Sequence, residues 1–402
     1  MRLLKPKIYV ILFCFLILMF LSNDFGIIDI EKTAIVTAVA IDLEDNGDYL
    51  ASVQISVPEA TDSNNEDKKT LLSGKGSTIG GAIKDIGNIS GWFPKLSFCN
   101  LIVIGSSFKD ENLIKTVDYF AKTLRIQDSA VIVFSDKSAK EVLMTSSPLD
   151  NVSSFAIQKI LLKDAGLDRD MIVTDIRSFS VGYYSRTSSC LLPVIKSISL
   201  KDLQSSDQIS SSSSQSGGNN SSSGSGGEPT GDNLYDLTST ALFVKGKKVG
   251  EIDGDLTFTF NMLKTSVVES LLHLKDVDEN HTAYLLSILR NTPKIELIPS
   301  QDGLKLKISL DLYCKISDVK SVDTDSTYAK NLPLPKSVKA QAEKLVSNRI
   351  NELISTQNQT KCDILGLDNL LYKYHYPKYK EYKNYVFDIL DPEITVTVTA
   401  QK

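Results

Sequence analysis

The hydrophobic pattern of the chain begins with an uninterrupted apolar run from Ile8 to Leu21, after a basic start that includes Arg2 and Lys7. This order of basic and apolar residues directs export and keeps the positive charges on the cytoplasmic side. The run is short for a transmembrane helix and also fits the apolar region of a cleaved signal peptide. Cleavage needs small residues near the end of the run, where only Ser22 qualifies. We therefore predict that residues 1–28 form an uncleaved signal-anchor, with the rest of the chain outside the membrane.

Strands and helices alternate through about residue 145, and a helical stretch and a β-rich segment complete a folded first part that spans residues 29–203. Thr33–Leu43 and Tyr49–Val57 are rich in β-branched residues, and an Asn-Gly pair between them predicts a β-hairpin. Apolar residues at helical spacing up to Ile89 predict a helix with Thr78 at its N-cap. The further predicted elements are the strands Phe98–Ile104 and Ala130–Phe134, the helices Glu111–Leu124 and Ser153–Leu162, a helix opened by a capping box of Ser138 and Glu141, and a β-rich segment Phe179–Ile198.

The segment from Gln204 to Asn233 interrupts this pattern. Ser, Gly, Asn and Gln dominate it, and no apolar period could bury one of its faces. Such a composition gives too little apolar burial to offset the entropy lost on ordering. We expect residues 204–233 to be a disordered spacer between two folded parts. A serine-rich regulatory segment is the alternative interpretation.

Residues 234–402 predict a C-terminal domain in which an antiparallel sheet packs against a long amphipathic helix, so that the whole chain belongs to the α+β class. Thr240–Val244 and Val249–Ile252 predict a hairpin, and Ser337–Thr356 predicts the helix. The other expected strands are Leu285–Leu289, Ile295–Ile298, Leu304–Tyr313 and Ile394–Ala400. The expected buried stripe of the helix is Val338, Ala342, Leu345, Ile350, Leu353 and Ile354, and its outer face carries Lys339, Glu343, Arg349 and Glu352.

Composition and charge narrow the functional classes. A chain of 402 residues that is 42% hydrophobic has enough material for two or three packed domains. A formal net charge of −5 argues against nucleic-acid binding, which needs a basic surface. The five cysteines form no CxxC pair, and the three histidines lack the spacing of metal ligands. We expect buried, inert thiols rather than a disulfide scaffold or a metal site.

The best candidate for a nucleotide-binding motif fails on spacing. Gly74–Gly76 precedes the helix that begins after Thr78, but a phosphate-binding loop requires G-x-x-x-x-G-K-[ST] so that backbone amides surround the phosphates. A turn followed by an N-cap is the favoured interpretation. The sequence also lacks the G-x-S-x-G motif of serine hydrolases.

The remaining polar clusters are equally weak as catalytic candidates. The pairs Asp42/Glu44 and Asp253/Asp255 lie in turn-like polar surroundings and are interpreted as solvated. The lysines and tyrosines of Lys373–Lys383 could stack on bases or contact phospholipid, but packing tyrosines with exposed hydroxyls are the favoured interpretation. We expect no catalytic residue, cofactor or metal.

Three stretches, taken together, resemble the Ger(x)C family, the C-type subunits of spore germinant receptors. Thr33–Asp42 (TAIVTAVAID) is similar to the family's opening strand, and Gly76–Ile83 (GSTIGGAI) resembles its first helix. The most specific stretch is Cys362–Tyr379, CDILGLDNLLYKYHYPKY. Its residues at positions that match the family motif are Asp363, Gly366, Tyr372 and Pro377.

This resemblance implies a non-enzymatic protein on the outer surface of the inner spore membrane, in contact with A-type and transporter-like B-type receptor subunits. Family members carry a lipobox cysteine just before the first strand, but Asn23–Phe25 stands at that place here. Cys14 is no substitute, because Phe13 precedes it where a lipobox needs a small residue. We therefore expect no lipidation and attachment through the apolar run.

Two other functional classes remain as rivals. An extracytoplasmic solute-binding protein would have paired α/β lobes around a cleft with convergent polar groups. An exported hydrolase would need an assembled nucleophile or metal. Both fit the sequence less well than a subunit that acts by protein contact.

Overall fold

Two β-sheets organise the part of the chain that the structure describes. The structure is a computed structural model, and it describes residues 4–21, 33–56, 69–108, 113–122, 126–145, 147, 150, 152–161, 170–199, 233–267, 269–275, 277, 283–300, 303–320, 334–383 and 386–401. Within these ranges one sheet has ten strands and the other has four. Helices pack against both sheets, which agrees with the predicted α+β class.

The described strands are β1 (Thr33–Leu43), β2 (Tyr49–Ser56), β3 (Lys69–Gly76), β4 (Phe93–Lys95), β5 (Leu101–Ile104), β6 (Val131–Ser135), β7 (Ser189–Ser199), β8 (Asn233–Asp236), β9 (Thr240–Val244), β10 (Lys247–Ile252), β11 (Ser270–Leu274), β12 (Ala283–Pro299), β13 (Leu304–Lys320) and β14 (Leu390–Ala400). The α-helices are α1 (Leu4–Leu21), α2 (Ile79–Ser90), α3 (Ile114–Lys122), α4 (Ala139–Met144), α5 (Ser153–Leu161), α6 (Ile176–Tyr183), α7 (Gly254–Lys264), α8 (Lys336–Thr360), α9 (Leu367–Tyr374) and α10 (Tyr376–Tyr382).

The first sheet has the order β10-β9-β7-β6-β5-β1-β2-β3, with β4 beside β1 and β8 beside β7. Strands β1, β5, β6 and β7 run parallel to their neighbours in this series, as strands do when helices connect them. The centre of the sheet is covered on both faces. Along β1, Val36 and Ile41 belong to one apolar cluster, and Ala38 and Ala40 belong to the cluster on the other face.

The second sheet, β11-β12-β13-β14, carries α8 on one face. The predicted strands at 285–289 and 295–298 are one continuous strand, β12, which forms a long hairpin with β13. The expectation of an antiparallel sheet was wrong for its last member, because β14 pairs with β13 in parallel. The physical reason is the connection: a crossover through α8, α9 and α10 returns the chain to the same end of the sheet.

Strands on both sides of the serine-rich segment belong to the first sheet. Strand β7 pairs with β8 and with β9, and Ser199 lies opposite Asn233. The expected spacer Gln204–Asn233 lies outside the described residues except for Asn233, which begins β8.

The predicted hairpins are both present. Between β1 and β2, Gly47 has a φ of 85°, and between β9 and β10, Lys245 and Gly246 have φ values of 53° and 80°. Positive φ at both central residues of the β9–β10 turn gives the tight turn whose twist matches that of paired strands, whereas in the β1–β2 turn Gly47 has a positive φ and Asn46 does not. The N-cap Thr78 is also confirmed, since its Oγ1 accepts a hydrogen bond from the Gly81 amide at 3.1 Å.

Three predicted local structures were wrong. Gly74–Gly76 ends strand β3 rather than forming a turn. A Cβ atom on Gly74 would lie 2.4 Å from the Ala82 carbonyl oxygen, so this strand needs glycine where α2 crosses it. Leu96–Phe98 is a 3-10 turn, and β5 begins only at Leu101. Residues 179–183, the beginning of the expected β-rich segment, belong to α6, a helix that starts where the Asp175 carboxylate accepts from the Ser178 amide at 2.6 Å.

The capping box predicted from Ser138 and Glu141 is not formed. Asp42, at the end of β1, caps α4 instead: its two carboxylate oxygens accept from the backbone amides of Ala139 at 2.8 Å and Lys140 at 3.0 Å. Ser138 donates its hydroxyl to the same carboxylate at 2.9 Å. Asp42 is 8% exposed, so its interpretation as a solvated turn residue was wrong. A carboxylate stabilises a helix N-terminus more strongly than a hydroxyl because it also opposes the helix dipole.

Asp253 is a cap as well. Its Oδ1 accepts from the Leu256 amide at 2.9 Å and opens α7, a helix that the sequence did not predict because β-branched and aromatic residues fill it. Asp255, its predicted solvated neighbour, pairs with Arg349 of α8 at 2.5 Å.

Helix α8 is present, and every residue predicted for its buried stripe except Leu345 is buried. Val346 is fully buried, and Leu345 is only partly buried. Two residues assigned to the outer face make contacts: Glu343 accepts from the Val398 amide of β14 at 2.9 Å, and Arg349 pairs with α7. The fully or largely buried stripe is Val338, Ala342, Val346, Ile350, Leu353, Ile354 and Gln357.

Helix α1 covers the apolar run, and its described side chains, residues 7–17, are all exposed. No helix in the described ranges combines the length and the apolar character needed to cross a membrane. The predicted membrane attachment of this segment stays a prediction.

Candidate functional site

The segment Cys362–Tyr379 lies where the second half of the chain meets the first sheet. The Cys362 thiol donates to the Phe243 carbonyl of β9 at 3.7 Å. The Asp363 amide donates to the Ser189 hydroxyl at the start of β7 at 2.9 Å. The residues of the sequence motif therefore hold the two halves of the chain together.

Asp363 and Gly366 shape the start of α9. The Asp363 carboxylate accepts from the backbone amides of Leu367 at 2.7 Å and Asp368 at 3.1 Å. It therefore caps the helix although it lies four residues before the first helical residue. Gly366 has a φ of 69° and a ψ of 33°, the left-handed conformation that glycine adopts without a steric penalty. These two residue types are the ones that such a tight entry requires.

A lysine ammonium group stabilises the same turn. Lys264, the last residue of α7, donates its ammonium group to the Leu365 carbonyl at 2.5 Å. Burial lowers the pKa of Lys264 and raises the pKa of Asp363, and the attraction between the two groups opposes both shifts. Lys264 and Asp363 therefore each favour the charged form of the other at this turn.

Arg186, in the turn before β7, connects the two halves through its side chain. Its Nε donates to the Asp368 carboxylate at 2.9 Å, and its Nη2 donates to the Asn369 side-chain oxygen at 3.1 Å. The guanidinium carbon lies 3.7 Å from the centroid of the Tyr372 ring and 5.4 Å from that of Tyr379. A planar guanidinium can make the two hydrogen bonds and the ring contact at once, which a lysine could not do.

Beyond Arg186 the tyrosines form an exposed aromatic surface, the tyrosine surface, which consists of Tyr372, Tyr374 and Tyr376. They are 42%, 63% and 49% exposed. Tyr372 packs edge-to-face against Tyr376 at 5.4 Å, and Pro377 follows Tyr376 in the first turn of α10. The lysines around this surface are Lys373, Lys378, Lys380 and Lys383.

The tyrosine surface continues into a groove along strand β12. Strand β11 pairs with β12 only over residues 284–288, so the edge of β12 beyond them has no strand partner in the described sheet. The groove has a volume of 590 Å³, and the residues that line it are Lys294, Ile295, Glu296, Leu297, Ile298, Leu370, Tyr374 and His375. It offers an open strand edge on one side and an aromatic side chain on the other.

The cysteines outside α1 are packing residues of the protein interior rather than reactive groups. Cys99, Cys190, Cys314 and Cys362 are buried free thiols, which confirms the prediction made from their spacing. Burial raises the pKa of Cys99, Cys314 and Cys362 to about 12, far from the range of a reactive thiolate. Within the described ranges no three His, Cys, Asp or Glu side chains come together in a way that could hold a metal ion.

The four motif residues occupy two different places in the structure of the segment. Asp363 and Gly366 are partly buried at the entry of α9, whereas Tyr372 and Pro377 lie at the exposed end. Sequence reasoning missed Arg186, since no local pattern around it predicts a partner 182 residues further along the chain. The arrangement supports binding at an exposed surface.

Sequence profiles of known domains match both halves of the chain. The profile described as the spore germination protein N-terminal domain matches residues 26–197, and the profile described as spore germination B3/GerAC like, C-terminal, matches residues 238–401. No curated protein matches the chain as a whole.

A solved structure shares the fold. The crystal structure of the GerBC protein superposes with a TM-score of 0.53 and 14% sequence identity, and the match covers 93% of this chain and 100% of that chain. At this identity the likeness concerns the fold.

Proposed function

This chain belongs to the Ger(x)C family of spore germination proteins, the C-type subunits of germinant receptors, and from that membership we propose how it acts. It is a non-enzymatic, membrane-attached subunit that works through contact with the A-type and transporter-like B-type subunits. It lies on the outer face of the inner spore membrane.

The observation that carries the proposal is the tyrosine surface together with the open edge of β12. Exposed tyrosines supply large, rigid contact area at a small entropy cost and are enriched at protein interfaces. An open strand edge can pair with an extended segment of a partner through main-chain hydrogen bonds. Tyr374 lines the groove and is also exposed, so one continuous surface offers both kinds of contact.

Arg186 and Lys264 hold the helix that carries this surface. Arg186 connects α9 to the turn before β7, and Lys264 connects the start of α9 to α7. These bonds hold the tyrosine-bearing helix in place before a partner binds. A contact surface that is ordered before binding loses less conformational entropy when the partner arrives.

The test is recovery of the other subunits with the tagged, full-length chain from spore membranes. Tyr374→Ala together with Tyr376→Ala should leave folding intact, because both rings are about half exposed or more. Recovery of the A-type and B-type subunits should fall about tenfold or more, as when an interface loses aromatic contacts at its centre.

Phe155→Ala is the matched control, since this aromatic residue is also exposed but lies on α5 of the first half. It should leave recovery unchanged. Equal recovery with the double tyrosine variant and with the control would contradict the assignment of this surface.

Membrane attachment through the apolar N-terminal segment has its own test. The described side chains of α1 expose large apolar groups, and they include Ile8, Tyr9, Val10, Ile11, Leu12 and Phe13. The chain should fractionate with membranes and keep its N-terminal residues, yet a fatty-acid probe should not label it. A lipidated species would overturn attachment by this segment, and a soluble chain that begins after Leu21 would show cleavage.

A further inference from the structure

Five large apolar side chains are exposed at one end of the first sheet. They form what we name the apolar patch, whose members and exposed fractions are Ile35 (36%), Ile89 (72%), Trp92 (48%), Phe93 (56%) and Phe98 (57%). Soluble proteins rarely leave large apolar patches uncovered unless something binds them.

The apolar patch is an extension of core-forming elements beyond the core. The apolar stripe of α2 predicts burial of Ile89, and Ile79, Ala82 and Ile86 of that helix are indeed buried. The helix ends at Gly91 in a left-handed C-cap, and Ile89 in its last turn is left exposed. The apolar period of the helix therefore continues to a position where the described residues provide no partner.

The apolar patch lies where the N-terminal segment joins the fold. Strand β4 pairs in parallel with the first residues of β1, which places Phe93 opposite Thr33 and Lys95 opposite Ile35. Neighbouring strands are about 4.8 Å apart. Residues 22–32 connect α1 to Thr33, and so short a connection spans at most roughly 40 Å even when fully extended.

We infer that the apolar patch inserts into the headgroup region of the lipid bilayer to which the N-terminal segment is attached. Trp and Phe side chains favour the boundary between headgroups and acyl chains, and an exposed lysine such as Lys95 suits anionic lipids. The insertion would give the subunit a fixed orientation, with the start of β1 towards the membrane. This inference rests on the proposed membrane attachment.

Trp92 is the sole tryptophan of the chain, so its fluorescence reports on the apolar patch without background. The full-length protein is reconstituted into vesicles of phosphatidylcholine and phosphatidylglycerol, with acyl chains brominated either near the headgroup or near the terminal methyl. We expect a blue shift relative to the protein in detergent and stronger quenching by the shallow bromines. Protection from aqueous iodide should increase at the same time.

Phe93→Asp should abolish the blue shift and the quenching while the protein still floats with the vesicles. Ile89→Asp serves as the second variant if circular dichroism shows that Phe93→Asp unfolds the protein. Met144→Asp is the matched control, because Met144 is 61% exposed and belongs to α4, which starts at the opposite end of the sheet from β4. It should leave the Trp92 signals unchanged.

The outcomes separate the two proposals. A chain that does not float with the vesicles overturns the membrane attachment, and the insertion with it. A chain that floats while Trp92 stays open to iodide and unquenched by bromine overturns the insertion alone. Loss of the other receptor subunits from membranes with Phe93→Asp, without bromine quenching in the parent chain, would make the apolar patch a protein interface instead.

Discussion

At the scale of single residues, aspartates decide where several helices begin. Asp175 and Asp253 stand directly before α6 and α7 and accept backbone hydrogen bonds from their first turns. Asp363 does the same for α9 from four residues away, and Asp42 caps α4 from 97 residues away. A cap that directly precedes its helix can be recognised from the sequence. Asp42, in contrast, becomes a cap only when β1 enters the sheet beside α4.

Asp42→Ala tests this distant cap. The substitution leaves the amides of Ala139 and Lys140 without their acceptor in a buried place, so we expect the free energy of unfolding to fall by about 2 kcal/mol. Glu44→Ala is the control, because Glu44 pairs with the exposed Lys75 and should cost less than about 0.5 kcal/mol. Urea denaturation of both variants measures the difference, and equal midpoints would contradict the capping role.

At the scale of elements, the register of α8 shows the limits of periodicity. A helix with apolar residues at both 345 and 346 offers two registers, and the contacts of Glu343 with β14 and of Arg349 with α7 favour the one that buries Val346. Charged residues near the sheet are tolerated here because each has a partner.

Val346→Asp should therefore destabilise the protein far more than Leu345→Asp. The first substitution places an unpaired carboxylate at a position that is 0% exposed, which should cost at least about 3 kcal/mol. Leu345→Asp should cost less, because that side chain is partly buried, and the exposed Lys344→Asp should be nearly neutral. Thermal melts of the full-length chain give the order; a larger loss for Leu345→Asp than for Val346→Asp would show that the register is wrong.

At the scale of the whole molecule, the serine-rich segment separates two pieces that remain paired. Its flanking strands β7 and β8 are neighbours in one sheet, and β9 pairs with β7 as well. The bonds of Asp363 with Ser189 and of Arg186 with Asp368 add further contacts between the halves. Cleavage between residues 204 and 232 should therefore leave the fold assembled.

Limited proteolysis can test this directly. The segment should be the first site of cleavage, as its composition predicts, and the two products should elute together in gel filtration under native conditions. Deleting about twenty of its residues should change the melting temperature little, because loop length enters the closure entropy only logarithmically. Fragments that separate without denaturant would contradict the shared sheet.

Interactions between residues that are neighbours in the sequence determined many of the helices and turns of this protein. The β1–β2 and β9–β10 hairpins, the Thr78 cap and the long helix α8 all follow from turn residues and periodicity, which act between neighbours in the chain. The types of three of the four motif residues, Asp363, Gly366 and Pro377, also suit the tight entry of α9 and the start of α10.

Only the tertiary structure decided which groups from distant parts of the chain meet. Arg186 joins Asp368 and Tyr372, Asp42 displaces the expected capping box, and β14 returns in parallel beside β13. The exposure of Ile89 belongs here too, since a periodic stripe states which face is apolar but not where the opposing surface ends. These outcomes depend on packing between residues that are far apart in the sequence, and a short stretch of the sequence does not determine such packing.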